Sequence, residues 1–158
     1  MVKFLWLFAA LAALTPLRAG TDCNARVLQT LPHLPVGGGY ATTSEASARL
    51  RAAVNAAGGD LVLMPKRAQP SYCSGATYLV FLNAVRPNLT PPAAAALADM
   101  EKADGHGVWG RWNANGPGTA RLFYELGLGR NFTDLAEARP GDFLKIFWRD
   151  AVGKNEFG

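Results

Sequence analysis

Between Pro70 and Pro87 lies the stretch that restricts this chain most, Ser71 to Val85 (SYCSGATYLVFLNAV). Ala76, Leu79, Val80 and Val85 recur at helical spacing, and Phe81 and Leu82 add apolar surface in further directions. A helix apolar on more than one face cannot lie on a surface, so other elements must pack around it. Pro87 ends it, because proline cannot continue a helical hydrogen-bond ladder. The 158 residues are 49% hydrophobic, enough for one such core and too few for two ordinary domains. Charged residues make up 18%, which argues against wholesale disorder.

The first 19 residues read as an address. Met1-Val2-Lys3 is a short positive start, and Phe4 to Leu14 is an uncharged apolar run. Pro16 breaks it, and Ala19 offers a small residue for cleavage before Gly20. These are the three parts of a secretory signal peptide, and the run is short for a bilayer span, which takes about 20 residues. The expected location is therefore secreted or periplasmic, with no stable membrane span after processing. The net charge is +4, and setting Lys3 and Arg18 aside leaves +2. That is too little for a footprint on phosphates, so no nucleic-acid partner is expected.

Residues 20–41 carry Pro32, Pro35 and Gly37-Gly38-Gly39 and read as an irregular arm. The triple glycine lacks the following lysine and hydroxyl residue of a phosphate loop. Thr42 and Glu45 have capping-box spacing and predict a helix, with Ala46, Leu50, Ala53, Val54 and Ala57 on one face and Gly58-Gly59 as its stop. Asp60 to Met64 reads as a strand or extended link, and Pro65 to Pro70 as a solvated basic loop around Lys66 and Arg67. Thr90-Pro91-Pro92 starts a helix that continues through Ala103. Residues 105–118 form a loop rich in Gly, Trp and Asn, and Thr119 to Leu126 is helical. Pro140-Gly141-Asp142 is a turn into a β-type run, Phe143 to Trp148. Asp142 has a backbone reason to stand in that turn.

Chemistry concentrates at Cys73. A cysteine at a helix start meets unpaired N–H groups and the positive end of the helix dipole, which stabilise a thiolate. The thiolate is the nucleophile of acyl transfer, and the same N–H groups can hold an oxyanion. Ser74 and Gly75 are small enough to let a substrate carbonyl approach, and Tyr72 flanks the sulfur. Trp109, Trp112 and Asn113, with Arg111 and Asn115, form the best substrate-side loop, through stacking and hydrogen bonds to a sugar or peptide, or else the two tryptophans anchor the loop to the core. Tyr78 reads as core.

Cys73-Ser74-Gly75 at a helix start, followed by Pro140-Gly141-Asp142 opening a strand, resembles the NlpC-like family of papain-fold cell-wall amidases and endopeptidases. The resemblance covers about residues 70 to 158. It implies an α+β, papain-like fold in which the nucleophile helix packs on a small antiparallel sheet. It implies a cysteine peptidase or amidase that cleaves amide bonds of peptidoglycan stem peptides, with Cys73 as nucleophile and no cofactor. Residues 1–19 would be the signal peptide, 20–41 the arm and 42–158 the hydrolase domain. The family usually carries Asp before its nucleophile, where this chain has Tyr72. The family's general-base histidine follows on the next strand, which would lie beyond the turn at 150–158. The resemblance thus implies an incomplete sheet, with Phe143–Trp148 as an unpaired edge and little activity without that histidine.

Two other readings stand beside it. One is a non-catalytic, exported cell-wall-binding module. The other is a small exported domain closed by a Cys23–Cys73 disulfide. His106, in the glycine-rich loop, and His33, beside two prolines, are weak candidates for a base. Two cysteines and two histidines at these spacings do not make a zinc site.

Overall fold

The computed structural model of the protein describes residues 22–100, 108–112 and 118–146. The expected signal peptide, His106, Asn113, Asn115 and the segment from Phe147 onward lie outside the described residues. Among the described residues, six helices and one β-hairpin follow in the order α1 (Cys23–Thr30), α2 (Ser44–Ala52), β1 (Val54–Ala57), β2 (Asp60–Leu63), α3 (Cys73–Val85), α4 (Pro91–Ala98), α5 (Val108–Trp112) and α6 (Gly118–Leu126). Short 3-10 turns cover Leu31–His33, Pro65–Ala68, Arg86–Asn88 and Leu135–Glu137.

Helix α3 is the axis of the molecule. Tyr78, Leu79, Val80, Phe81, Leu82, Ala84 and Val85 are all buried along it. On one side α1 brings Val27 against Val80 and Ala84, with Leu34 and Phe143 closing that cluster. On the other, Trp109 and Trp112 of α5 stack around Tyr78 and Phe81, with Tyr78 and Trp109 at 5.0 Å and Phe81 and Trp112 at 4.7 Å between ring centres. Phe123 of α6 and Phe143 meet the same rings edge-on, Trp112 and Phe143 lying 5.3 Å apart. Aromatic clusters of this kind add direction to apolar burial, since offset and edge-to-face geometries are favoured. Tyr78 is fully buried, and its hydroxyl donates to the Leu97 carbonyl at 2.7 Å, which joins α3 to α4.

The mixed α+β class holds, but the sheet is elsewhere than the sequence suggests. β1 and β2 pair antiparallel with Ala57 opposite Asp60, so Gly58-Gly59 is a two-residue hairpin turn and not a helix stop. Both glycines have positive φ, 61° and 89°, which that tight turn requires and which any side chain would strain. Helix α2 therefore ends at Ala52, and Val54 and Ala57 belong to a strand. The hairpin packs against α2 and α4, whereas α3 packs chiefly against α1 and α5. Phe143 to Ile146 form no strand; Phe143 is half-buried in the aromatic cluster and Leu144 is exposed. Burial of one aromatic ring, not strand pairing, anchors this segment.

The arm is also more regular than its prolines suggest. The Asp22 carboxylate accepts from the backbone N–H groups of Asn24 and Ala25 at 3.0 and 3.4 Å and starts α1. Thr43, one residue later than expected, caps α2 through Ala46 N–H at 3.2 Å. Thr90 precedes α4 but makes no side-chain cap, since Pro91 and Pro92 remove first-turn donors and leave its hydroxyl buried and unpartnered. Basic Pro65–Ala68 is a 3-10 turn with Lys66 and Arg67 exposed, and helix α4 stops at Ala98.

Candidate functional site

Cys73 is the first residue of α3 and is exposed. Tyr72 stands at the cap position with extended backbone, and its side chain takes up none of the first-turn N–H groups. What places this helix start at the surface is the arm. Tyr40 forms a parallel bridge with Ser71, Ala41 N–H donating to the Ser71 carbonyl at 3.0 Å and Ser71 N–H to the Gly39 carbonyl at 3.3 Å. The two strips, Gly37–Tyr40 and Gln69–Cys73, are the walls of an open groove of about 350 Å³ with Cys73 in it. Gly37 and Gly39 have φ of 78° and 80°, so the bare backbone of this wall is a conformational necessity.

Tyr40 is the residue that sequence reasoning missed. Its ring is exposed, and it lines the groove together with Cys73. The charge of the neighbouring Cys73 first, then desolvation and the polar contact with its side chain, raise the Tyr40 phenol above its ordinary 10.0. The phenol therefore stays protonated and able to donate throughout the neutral range. The only sequence signal for it was an aromatic residue directly after three glycines.

The expected site residues divide. Tyr72 lines the groove beside Cys73, with its hydroxyl 3.4 Å from Ser47 Oγ on α2. Ser74 is half-buried, and its carbonyl accepts from the Trp112 indole N–H at 3.1 Å, so it links the helix start to the core. Trp109 and Trp112 are 4% and 3% exposed. Rings that deep in the core cannot stack on a ligand, which corrects their reading as substrate contacts. Gly75 is buried, and a Cβ there would stand 2.9 Å from Leu50 Cδ2. Its smallness serves the contact of α3 with α2, not the approach of a substrate. Asn113 and His106 lie outside the described residues, and exposed His33 is not part of the groove wall.

No family model, curated protein or solved structure matches the chain.

Both cysteines are free thiols. The disulfide alternative conflicts with how α1 and α3 pack. Arg26 of α1 reaches the Ala84 carbonyl, Thr30 accepts from Asn83, and Val27 packs on Val80 and Ala84, so α1 lies against the second half of α3. Cys73 begins α3, eleven residues before Ala84, or about 16 Å away at helical rise. A disulfide needs Cα atoms within about 7 Å.

Asp142 behaves as a turn residue. Its carboxylate accepts from Arg139 N–H and from the Asn24 side-chain amide, both at 2.7 Å, and the same Asn24 amide donates to the Pro140 carbonyl at 3.2 Å. The Arg139 N–H first, and Asn24 second, hold this carboxyl below its ordinary 3.8. The turn of the resemblance motif is thus clamped to α1, while Cys73-Ser74-Gly75 begins α3. Among the described residues there is no group of three or more His, Cys, Asp or Glu that could hold a metal ion, and no helix is long and apolar enough to cross a membrane.

Proposed function

We propose that this protein is an exported cysteine hydrolase that cleaves amide bonds of peptidoglycan stem peptides. The observation that carries the reading is exposed Cys73 at the start of a 13-residue helix, lining an open groove beside Tyr40. A buried structural cysteine has no such access. The order of Cys73-Ser74-Gly75 and Pro140-Gly141-Asp142 adds the cell-wall substrate class through the resemblance.

The chemistry is acyl transfer. Cys73 Sγ bonds to the amide carbonyl carbon, and its proton passes to a general base. The oxyanion forms beside the first turn of α3, where the helix dipole favours negative charge. The base returns the proton to the departing amine, leaving a thioester on Cys73. Water then attacks the thioester, the thiol leaves, and the acid is released. Tyr40 supports the sulfur while it carries charge, since hydrogen bonds to ionised groups are the stronger kind.

The test is release of new amino groups from purified peptidoglycan by the full-length protein, beside Cys73→Ala. Release that depends on Cys73 supports the reading. Wall binding without release would replace it with the binding-module reading, in which the groove remains and the chemistry does not.

A further inference from the structure

The groove holds a second polar group that the hydrolytic step does not use, the side-chain amide of Gln69. It lies in the wall facing the glycine strip and is half-buried. Among the described residues its carboxamide has no hydrogen-bond partner, although everything around it is fixed. Its own backbone carbonyl accepts from Arg49 Nη1 at 2.8 Å. Arg49 is held in turn by Glu45 on the same helix, through contacts of 3.0 and 2.6 Å. Gly38 closes over the side chain from the opposite wall: a Cβ at Gly38 would stand 2.5 Å from Gln69 Cγ, Cδ and Nε2. Glycine at 38 is therefore needed for the carboxamide to lie where it does.

A carboxamide presents one donor side and one acceptor side. The ligand group that satisfies both at once is the backbone N–H and C=O of one residue in an extended peptide, which point to the same side of the chain. A carboxylate accepts only and would leave the carboxamide oxygen unmet. Glycine walls leave room for an extended peptide backbone and offer no side-chain pocket along that wall.

We infer that Gln69 is a substrate-binding residue that reads the backbone N–H and C=O of one residue of the stem next to the bond attacked by Cys73, and that Gly38 exists to seat it. This rests on the hydrolase reading above and adds to it the group recognised and the residue that recognises it.

Protection of Cys73 from alkylation separates the two. The full-length protein is treated with iodoacetamide over a range of concentrations of a soluble muropeptide bearing a tetrapeptide stem, and labelling of Cys73 is followed by mass spectrometry. In the wild type the muropeptide slows labelling. In Gln69→Ala the half-protecting concentration rises about tenfold, the value of one well-made hydrogen-bonded contact. The rate without muropeptide, measured for each variant, is the reference for its own protection curve. Gly38→Ala, which displaces the Gln69 side chain without altering its chemistry, shifts protection in the same direction. Equal protection in wild type and Gln69→Ala overturns the role of Gln69 and leaves the hydrolase reading standing. No protection in the wild type overturns the stem-peptide substrate itself, and the inference with it.

Discussion

The indole N–H of Trp112 donates to the Ser74 carbonyl at 3.1 Å, fastening the aromatic core to the first turn of the helix that carries Cys73. The tryptophan is thus a strut beneath the site and not a surface for ligand. Trp112→Phe keeps a ring in the cluster and removes this bond. It should cost about 1 kcal/mol of stability, whereas Trp112→Ala, which also opens a cavity, should cost about 3–5 kcal/mol. Urea midpoints at constant m-value measure both. A Trp112→Phe midpoint equal to that of the wild type would show that the bond contributes nothing.

Gly75 meets Leu50 across the α2–α3 contact, with 2.9 Å available to a Cβ. Gly75→Ala should therefore destabilise by about 1–3 kcal/mol through overpacking, despite alanine's better helix propensity. The double variant Gly75→Ala with Leu50→Val should recover part of that loss. If Gly75→Ala alone is stabilising, propensity outweighs the contact.

Tyr40 and Cys73 lie 33 positions apart in sequence and share the groove, where the charge of Cys73 is the first cause of the raised Tyr40 phenol. Tyr40→Phe leaves the ring and removes the donor. Alkylation of Cys73 by iodoacetamide at neutral pH should slow about threefold, since a hydrogen bond to the charged sulfur is lost in a solvent-exposed place. Labelling of Cys23 under the same conditions should be unchanged and serves as the internal reference. An unaltered Cys73 rate would remove Tyr40 from the site.

Asp142 gives the protein an acid-sensitive joint. Its carboxyl is held below the ordinary 3.8 in the folded state, chiefly by the Arg139 N–H. The folded state then takes up its proton less readily than the unfolded chain, so the contact stabilises fully above that ordinary value. It is lost as pH falls through the lower folded value. Asp142→Asn should flatten the fall of the urea midpoint below about pH 4 and leave its slope between pH 5 and 7 unchanged. An acid limb identical to the wild type would mean that the carboxylate does not hold the turn.

The axis of the fold was legible because α3 is apolar on several faces, and such a helix has one place to go. Cys73 at its start was legible for the same reason, since Pro70 and the small residues mark the boundary. The hairpin was not. Ala53, Val54 and Ala57 fit a helical face as well as a strand, and Gly58-Gly59 can end a helix or turn a hairpin. Only the apolar run Asp60–Leu63 beyond the glycines, by pairing back, decides between them. The two tryptophans misled for a related reason: glycines around an aromatic residue suggest exposure, yet a five-residue helix here turns both rings inward. Tyr40 and Gln69 come to the groove from separate segments joined by the bridge of Tyr40 to Ser71, and a pairing of that range leaves no local pattern.

The central claim is that the Cys73 sulfur performs the reaction. The most direct measurement follows the appearance of free amino groups from purified peptidoglycan with the full-length protein, in parallel for wild type, Cys73→Ala and Cys23→Ala. The account predicts that Cys73→Ala lowers the rate by about 10³-fold or more while Cys23→Ala leaves it within about twofold. Release by Cys73→Ala at the wild-type rate would contradict it.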